Sequence, residues 1–397
     1  MDTPPNFLPK SLNKLTRRGL IASAVCLPAL AHAQVALGQR LLRAVMARMH
    51  SMGKGPELLD SYLISPRPRT NDFDLTQANA AYVYDNALAG LLLLHTGYRQ
   101  EALCIAQALA IAQTHDRYFH DGRLRNAYKA GEMTNPAKLP GFWNARTDQW
   151  DEDPYQLGSF TGPIAWAMLL WQRLGFVDQA NKAGDFLNAA LRAPLGYYGG
   201  FYGYDQAQQK LTWQSTEQNL DLAVAFKRLG REDDAAHAAA FVQAAYDAPS
   251  ELFKTGLTPT GQPGMMLAAD AGIWPYLAGL GDAESARRAI AGLRHGEGIG
   301  FSDASHGIWL EGTAFAALAL KSMHNPLASS FLDTIAANVS LQGYVYATVS
   351  PQLSTGLKVG PSLQKNVPPQ DFNYYRVPSL SATSWAAMAA LNLNPLD

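Results

Sequence analysis

Two kinds of residue are scarce in this chain of 397 residues: cysteine and charged side chains. The two cysteines are Cys26 and Cys104, and removal of an N-terminal export signal would leave Cys104 alone, with no internal disulfide. Charged residues make up 16% of the chain and nearly cancel, with a formal net charge of −1. Because proteins that bind nucleic acid present a basic surface to phosphates, we expect no nucleic-acid partner.

The spacings typical of metal and nucleotide sites are also missing from the sequence. No His-x-x-x-His or Cys-x-x-Cys spacing predicts zinc, and neither G-x-x-x-x-G-K-[ST] nor G-x-G-x-x-G follows a predicted strand. The nine histidines are scattered, and only His306, just before "GIWLE", stands where it could take part in a site. We therefore expect no metal and no cofactor.

The N-terminus has the pattern of an export signal. Arg17 and Arg18 precede a short apolar stretch from Leu20 to Leu30, and a small-residue A-x-A cleavage site ends at Ala33. The adjacent arginines resemble those of twin-arginine signals. Since the apolar stretch is too short to span a bilayer, the pattern predicts a periplasmic or secreted protein with no stable membrane anchor.

Downstream of this signal, apolar segments with helical period recur in two alternating kinds. One kind is rich in Ala, Leu and aromatic residues and almost free of charge, as is typical of helices buried on all sides. Segments of this kind span Gln77–Gly97, Thr161–Gly175, Ser215–Gly230, Met265–Gly281, Gly307–Met323 and Leu380–Asn394. An amphipathic segment follows each of the first five after a short turn, and Gly38–Met52 is a further amphipathic segment that could partner the last.

Six inner and six outer helices joined as hairpins predict an all-α fold, an (α/α)6 barrel or six-hairpin toroid. We assign residues 1–33 to the export signal and residues 34–397 to a single barrel domain. The long connections carry Gly, Pro, Trp and Tyr and run from each outer helix to the next inner one. They should therefore gather at one rim, around the N-termini of the inner helices, where backbone N–H groups also point. A ligand site is expected at that rim.

The repeat pattern from about residue 38 onward resembles the six-hairpin glycosidase superfamily, which includes glucoamylases and several endoglucanase and polysaccharide-lyase families. The most similar stretch is "DQWDEDPYQLGSFTGPIAWAMLLW", from Asp148 to Trp171. Glucoamylases similarly place a tryptophan and then carboxylates ahead of an inner helix, and the first of these carboxylates is the proton donor. The resemblance implies a carbohydrate substrate and a proton donor at Asp151, with Trp150 before it and Glu152 after it.

Hydrolysis of a glycosidic bond requires one carboxyl group to protonate the leaving oxygen and a second to activate water or attack the sugar. Glu217 is the leading candidate, because Ser215 and Gln218 form a capping box that leaves Glu217 in the first turn of an inner helix, pointing at the rim. The alternative is that Glu217 only complements the helix dipole. Asp221, one turn deeper, is interpreted as a support that holds Glu217 in place.

Three other acids occur inside almost wholly apolar helices. Glu311 in "IWLEGTAFAALAL" must be paired, protonated or facing a cavity, because a buried charge without partners is too costly. A raised pKa there would suit a general acid, whereas a structural bond to a loop is the alternative. Asp85 in "AAYVYDNALAG" could be the second carboxylate or could bind sugar hydroxyls, and Asp270 in "LAADAGIWPY" is a weaker copy for which we expect a structural role.

Aromatic side chains are frequent in the same loops, and sugar rings stack on such side chains. Arg123 or Arg125 could bind the carboxylate of a uronic acid, or could merely pair with Asp121 and Glu132. The candidate substrate-binding residues are Trp150, Glu152, Tyr155, Arg125, Tyr128, Tyr198, Tyr202, Trp213, Asp221 and Trp309.

These patterns together predict a glycoside hydrolase that acts on a poly- or oligosaccharide, with exopolysaccharide metabolism as one setting. Glu217 and one of Asp85, Asp151 or Glu311 are the predicted acid and base. One alternative is a polysaccharide lyase on the same barrel, with a Tyr or His base. The other is a non-catalytic glycan-binding protein of a polysaccharide export system.

Overall fold

The computed structural model describes residues 17–52, 55–64, 72–358 and 371–397, and their side chains except in residues 17–31 and 52. In chain order, the helices of this part are α1 (Arg17–Met52), α2 (Asp72–Gln77), α3 (Val83–His95), α4 (Arg99–Thr114), α5 (Pro154–Leu157), α6 (Thr161–Leu174), α7 (Val177–Ala190), α8 (Thr216–Arg228), α9 (Glu232–Ala244), α10 (Ala269–Leu277), α11 (Ala283–Gly292), α12 (Leu310–Ser322), α13 (Leu327–Ala336) and α14 (Leu380–Leu391).

Six of these helices form a closed inner ring. Helix α3 contacts α6, α6 contacts α8, and the series continues through α10, α12 and α14 back to α3. Helices α4, α7, α9, α11 and α13 each pack outside the inner helix that precedes them, and α1 packs outside α14. The apolar surface that surrounds each inner helix is thereby covered on all sides, which is why such uncharged sequences are stable there. The prediction of an all-α toroid is confirmed.

Tight turns join each inner helix to its outer partner. Helix α6 ends at Gly175, whose φ of 91° is the left-handed conformation in which glycine carries no steric cost, and α7 begins at Val177. Gly230, with a φ of 72°, has the same place between α8 and α9. The short turns lie at the C-terminal ends of the inner helices, so the long connections lie at their N-terminal ends.

Short antiparallel strands tie these long connections together in pairs and in one three-stranded sheet, β7-β8-β9. The strands of the described residues are β1 (Glu57–Leu58), β2 (Ala80–Tyr82), β3 (Ala127–Lys129), β4 (Gly131–Glu132), β5 (Phe142–Asn144), β6 (Gln149–Asp151), β7 (Ser159–Phe160), β8 (Gly200–Tyr202), β9 (Gln209–Leu211), β10 (Gln214–Ser215), β11 (Tyr246–Asp247), β12 (Leu252–Phe253), β13 (Gly256–Leu257), β14 (Gln352–Ser354) and β15 (Asn373–Tyr375). The pairs are β1-β4, β2-β3, β5-β6, β10-β13, β11-β12 and β14-β15.

Two helix starts differ from the prediction. Helix α3 begins at Val83 rather than at Gln77, because the residues just before it pair as β2 with β3. Helix α10 begins at Ala269 rather than at Met265. In both cases loop pairing replaces the first turn that helical periodicity predicts.

The first helix is longer than the amphipathic segment that begins at Gly38. It is continuous from Arg17, so the predicted cleavage site after Ala33 lies within α1. Residues 1–16 lie outside the described part, and the export signal stays a prediction. No helix of the described residues is both long and apolar enough to cross a membrane. Cys104, on α4, is a half-buried free thiol.

Four aromatic rings fill the centre of the barrel. Trp166 of α6, Trp274 of α10 and Trp385 of α14 lie with ring centroids 5.6 to 6.0 Å apart, and Phe315 of α12 lies 5.5 Å from both Trp274 and Trp385. These edge-on and tilted contacts join four inner helices. Because Trp166 and Trp274 also line the cavity above them, the cluster forms its floor.

Candidate active site

A cavity of about 510 Å³ lies among the loops at the N-terminal ends of the inner helices. Four carboxyl groups line it: Asp85 of α3, Glu217 of α8, Asp270 of α10 and Glu311 of α12. Each of the four stands in the first turn of its helix. Helical side chains lean toward the N-terminus, so first-turn acids from four neighbouring helices converge on one space.

The first-turn position also explains how these acids are accommodated. The unpaired N–H groups and the positive end of the helix dipole favour a negative charge there. On α8, the Ser215 hydroxyl accepts a hydrogen bond from the Gln218 N–H at 3.3 Å, which caps the helix and leaves Glu217 free to face the cavity.

Glu311 is held by two hydroxyl groups. The Tyr84 hydroxyl donates to its Oε1 and the Ser381 hydroxyl to its Oε2, each at 2.7 Å. The Trp385 Nε1 in turn donates to the Tyr84 oxygen at 2.7 Å, which fixes the tyrosine. Burial raises the pKa of Glu311 to about 7, although these two hydrogen bonds oppose the rise.

Different surroundings set the pKa values of Glu217 and Asp270. Burial, and then the charge of Asp270, raise the pKa of Glu217 well above its usual value. Burial raises the pKa of Asp270 only to about 6, opposed by backbone hydrogen bonds such as the one that the Ala271 N–H donates at 2.6 Å. The charge of Asp270 thus favours the protonated form of Glu217.

Asp85 and Asp221 are two further buried acids of the inner helices. Asp85 is 7% exposed, and burial raises its pKa to about 8 although a hydrogen bond from Ser61 opposes the rise. Asp221 is fully buried and does not line the cavity. Burial raises the pKa of Asp221 well above its usual value, although the nearby indole of Trp166 opposes the rise. Neither carboxyl oxygen of Asp221 has a hydrogen bond of normal geometry among the described residues.

Aromatic side chains form most of the remaining wall. Three of the predicted substrate-binding residues are among them: Tyr155, Trp213 and Trp309. Other residues that line the cavity were not identified from the sequence: Tyr62, Tyr84, Trp166, Phe301, Tyr374 and Ser381, which contributes its hydroxyl. Tyr84 directly precedes Asp85 in the sequence. Aromatic and hydroxyl residues in the first turns of the inner helices are the signal by which several of these cavity residues could have been identified.

Asp151, the proton donor implied by the resemblance, does not line the cavity. It lies in β6, where its Oδ2 accepts a hydrogen bond from the Asn144 amide at 2.7 Å. Its neighbour Trp150 is 54% exposed on the outer face of the same hairpin. Glu152 forms a forked ion pair with Arg117 at 2.7 and 2.8 Å. The pairing of β5 with β6 thus turns this stretch away from the other acids.

The predicted arginine and three tyrosines also lie outside the cavity walls. Arg125 has a fully buried side chain and pairs with Asp116 and Asp205. The Tyr128 hydroxyl is buried and accepts the backbone N–H of Arg125 at 3.0 Å. Tyr198 lies under Lys210, whose Nζ is 4.6 Å from the ring centroid, and Tyr202 is 37% exposed on β8. His306 is exposed and does not line the cavity either.

Only one basic side chain lines the cavity among the described residues. It is Lys358, an exposed residue at the rim that pairs with Asp371. The same residues contain no group of three or more His, Cys, Asp or Glu side chains placed to hold a metal ion. The acids of the cavity are therefore surrounded by aromatic rings and hydroxyl groups rather than by cations.

No protein-family model matches the chain, and no curated protein matches its sequence. Several solved structures do share its architecture. A glycosidase in complex with glucose aligns with a TM-score of 0.59 and 11% identity, over 92% of this chain and 99% of that one. A D-mannose isomerase gives a TM-score of 0.57 at 12% identity, over 90% and 97%. The cellobiose 2-epimerase of Bacillus thermoamylovorans gives 0.56 at 9%, over 90% and 99%.

The chain shares the (α/α)6 fold of these solved structures. At these identities the likeness concerns the fold alone, and it confirms the six-hairpin architecture that the sequence repeat predicts. Within this six-hairpin barrel, the four cavity acids occupy equivalent first-turn positions of the inner ring.

Proposed function

We propose that the protein is a glycoside hydrolase in which Glu217 is the general acid and Asp270 the general base. One observation carries the proposal: two carboxyl groups face the same cavity from adjacent inner helices, and the charge of one of them, Asp270, raises the pKa of the other, Glu217. Paired titratable groups whose pKa values are driven apart by their surroundings are the usual arrangement for acid and base roles.

Glycoside hydrolysis requires one protonated and one ionised carboxyl group. The protonated Glu217 gives its proton to the leaving glycosidic oxygen as the bond to the anomeric carbon breaks. The ionised Asp270 either takes a proton from the attacking water or attacks the anomeric carbon itself. In the second route, water then cleaves the glycosyl ester and gives its proton to the ionised Glu217. The anomeric configuration of the product distinguishes the two routes. Asp85 and Glu311 face the same space and are assigned to the sugar hydroxyls, with Tyr84 and Ser381 holding Glu311.

A carbohydrate substrate is supported by the cavity walls and by the neighbours that share the fold. Aromatic walls with a few convergent polar groups suit the apolar faces and the hydroxyls of a sugar. The structural neighbours described above are a glycosidase, an epimerase and an isomerase of sugars. The export pattern before Ala33 supports a reaction in the periplasm or outside the cell.

A lyase that acts on a uronic acid is less well supported. Arg125, one of the two residues assigned to the substrate carboxylate, is buried against Asp116 and Asp205. Arg123 pairs with Asp121, as the alternative reading of the sequence expected. Both guanidinium groups are thus already engaged outside the cavity walls.

The test is an assay of purified protein on a panel of α- and β-linked glucans, xylan, chitosan and uronic-acid polymers. New reducing ends are expected from at least one neutral glycan. Glu217→Gln and Asp270→Asn should each lower kcat by about a hundredfold to ten-thousandfold, the range typical of a lost general acid or base. Asp303→Asn, an exposed acid outside the cavity, is the matched control.

Each other outcome points to a different function. Wild-type rates in both variants, with circular dichroism unchanged, would overturn the assignment. Conversion of a sugar without new reducing ends would indicate an epimerase or isomerase. An unsaturated product that absorbs ultraviolet light would indicate the lyase, and tight binding with no conversion would indicate a glycan-binding protein.

A further inference from the structure

The hairpin of β5 and β6 presents two exposed tryptophans on one face. Trp143 is paired directly with Trp150 in the strand register, and directly opposed residues of antiparallel strands project to the same side. Each is 54% exposed, and they are the only exposed tryptophans among the described residues. On the opposite face, Phe142 and Asn144 are buried. Large apolar rings left together in solvent usually mark a binding surface.

Contacts within the hairpin hold Trp150 and the two strands in place. The indole of Trp150 lies against the backbone of Gly141, where an added Cβ would come within 2.6 Å of Nε1 and 2.7 Å of Cε2. On the inner face, the Asn144 amide binds the Asp151 carboxylate across the two strands at 2.7 Å. A surface that is fixed before the ligand arrives loses less conformational entropy on binding.

The hairpin is fastened to the wall of the cavity. The Asn79 side-chain amide donates to the Gly141 carbonyl at 2.9 Å, and its carbonyl accepts the Gly141 N–H at 3.3 Å. Asn79 lies between Gln77 and Tyr82, both of which line the cavity. On the other side, the chain passes from β6 to Tyr155, which lines the cavity as well. The base of the hairpin is therefore attached to the wall of the candidate active site through Asn79 and through the chain that leads to Tyr155.

We propose that Trp143 and Trp150 form a platform that binds a polysaccharide chain outside the cavity, beside its mouth. The CH faces of pyranose rings stack on indole rings while their hydroxyls stay hydrated, so an exposed pair needs no further polar partner. A platform outside the cavity is useful only for a substrate longer than the cavity. The inference rests on the proposed function for the nature of the ligand, and it makes that ligand a polymer rather than a mono- or disaccharide.

The experiment is native affinity electrophoresis in gels that contain barley β-glucan, hydroxyethylcellulose, xylan, soluble starch or chitosan. The parent protein carries Glu217→Gln, so that a bound polymer is not cleaved. Retardation by at least one polymer is expected. Adding Trp143→Ala and Trp150→Ala should weaken the apparent affinity about tenfold, because two stacking contacts are lost. In the Glu217 wild-type background, the ratio of activity on that polymer to activity on its tetrasaccharide should fall.

Tyr98→Ala, which removes an exposed ring from the start of the outer helix α4, is the matched control and should leave retardation unchanged. The inference is overturned if no polymer retards the parent, or if the double tryptophan variant is retarded as strongly as the parent. It is also overturned if the double substitution converts a dimer into a monomer by light scattering, since the pair would then be a self-association surface. The reducing-end assay tests the proposed function separately, so the two failures are distinguishable.

Discussion

Asp116 and Asp85 are buried to a similar degree, at 4% and 7% exposure, yet their chemistry is opposite. Burial by itself would raise the pKa of Asp116, but the hydrogen bonds and charge of Arg125 outweigh it and hold the pKa below its usual value. For Asp85, burial raises the pKa to about 8, opposed only by a hydrogen bond from Ser61, and the charge of Glu311 adds to the rise.

The difference shows that the partner of a buried acid, rather than its burial, distinguishes a structural role from a chemical one. Asp116 and Asp205 share the guanidinium of Arg125 and fix the loops outside the cavity. The acids at the cavity have hydroxyl groups and each other instead of a cation, so they can hold an exchangeable proton near neutral pH.

Removing the Arg125 guanidinium from its ion pairs with Asp116 and Asp205 should have the largest effect on the free energy of unfolding. Arg125→Leu leaves the buried Asp116 without its counter-charge, and breaking a buried pair in this way costs about 3 to 5 kcal/mol. Urea denaturation measures the loss. Arg146→Leu removes an exposed arginine, whose side chain is 59% exposed, and should cost less than about 1 kcal/mol. Equal losses in the two variants would contradict the comparison.

The carboxyl groups that line the cavity should control the pH dependence of activity. Asp270 must be ionised and Glu217 protonated, so kcat/KM should fall about tenfold for each pH unit below the Asp270 pKa of about 6. Two units below it, the loss is about a hundredfold. The rate should fall again at alkaline pH, where Glu217 loses its proton. A profile without the acidic limb would remove Asp270 from the role of base.

Asp85→Asn should change stability with a defined sign. The pKa of Asp85 rises from 3.8 to about 8 in the folded protein, so its contribution to stability is present at low pH and is lost as the pH rises through that interval. Asparagine cannot ionise. The free energy of unfolding of the variant, relative to that of the wild type, should therefore rise between pH 5 and pH 8 by on the order of 1 to 3 kcal/mol.

Asp116→Asn is the matched opposite of this substitution. The pKa of Asp116 is lowered on folding, so its contribution is lost only in acid, and the variant should be destabilised at both pH 5 and pH 8. Melting temperatures of both variants at the two pH values test the pair. A rise in the stability of Asp116→Asn relative to the wild type between pH 5 and pH 8, like the one expected for Asp85→Asn, would contradict the distinction between the two regions.

Glu152→Gln should have the smallest effect on the free energy of unfolding. Glu152 forms its forked ion pair with Arg117 at the surface, and Arg117 keeps a second partner in Asp205 at 2.7 Å. Partly exposed pairs of this kind contribute about 0 to 1 kcal/mol, and salt weakens them. A loss in urea denaturation as large as that of Arg125→Leu would show that the paired network is a single cooperative unit.

The sequence predicted the barrel well because helical periodicity is a local property. A helix that is buried on all sides has apolar residues at nearly every position of its own sequence. An acid such as Glu311 within such a sequence is therefore conspicuous. Glu217, Asp85 and Glu311 were identified in this way, and all three line the cavity. Asp270 was found by the same pattern but was assigned a structural role.

The loops were predicted poorly, for an equally physical reason. Strands of two or three residues are too short to show the alternation that reveals which face is buried, so Trp150 and Asp151 could not be placed. Tyr84 and Trp166 looked like core residues, because local sequence does not distinguish a ring that packs on a helix from one that faces a cavity.

By itself, the sequence determined the order of inner and outer helices and the position of Glu217 in a first turn, since both follow from contacts within a few residues. Only the tertiary structure decided which acids meet. Arg125 and Asp205 stand 80 residues apart and Tyr84 and Glu311 stand 227 apart. The pKa of each carboxyl group depends on such distant partners, and they are brought together only when the ring of hairpins closes.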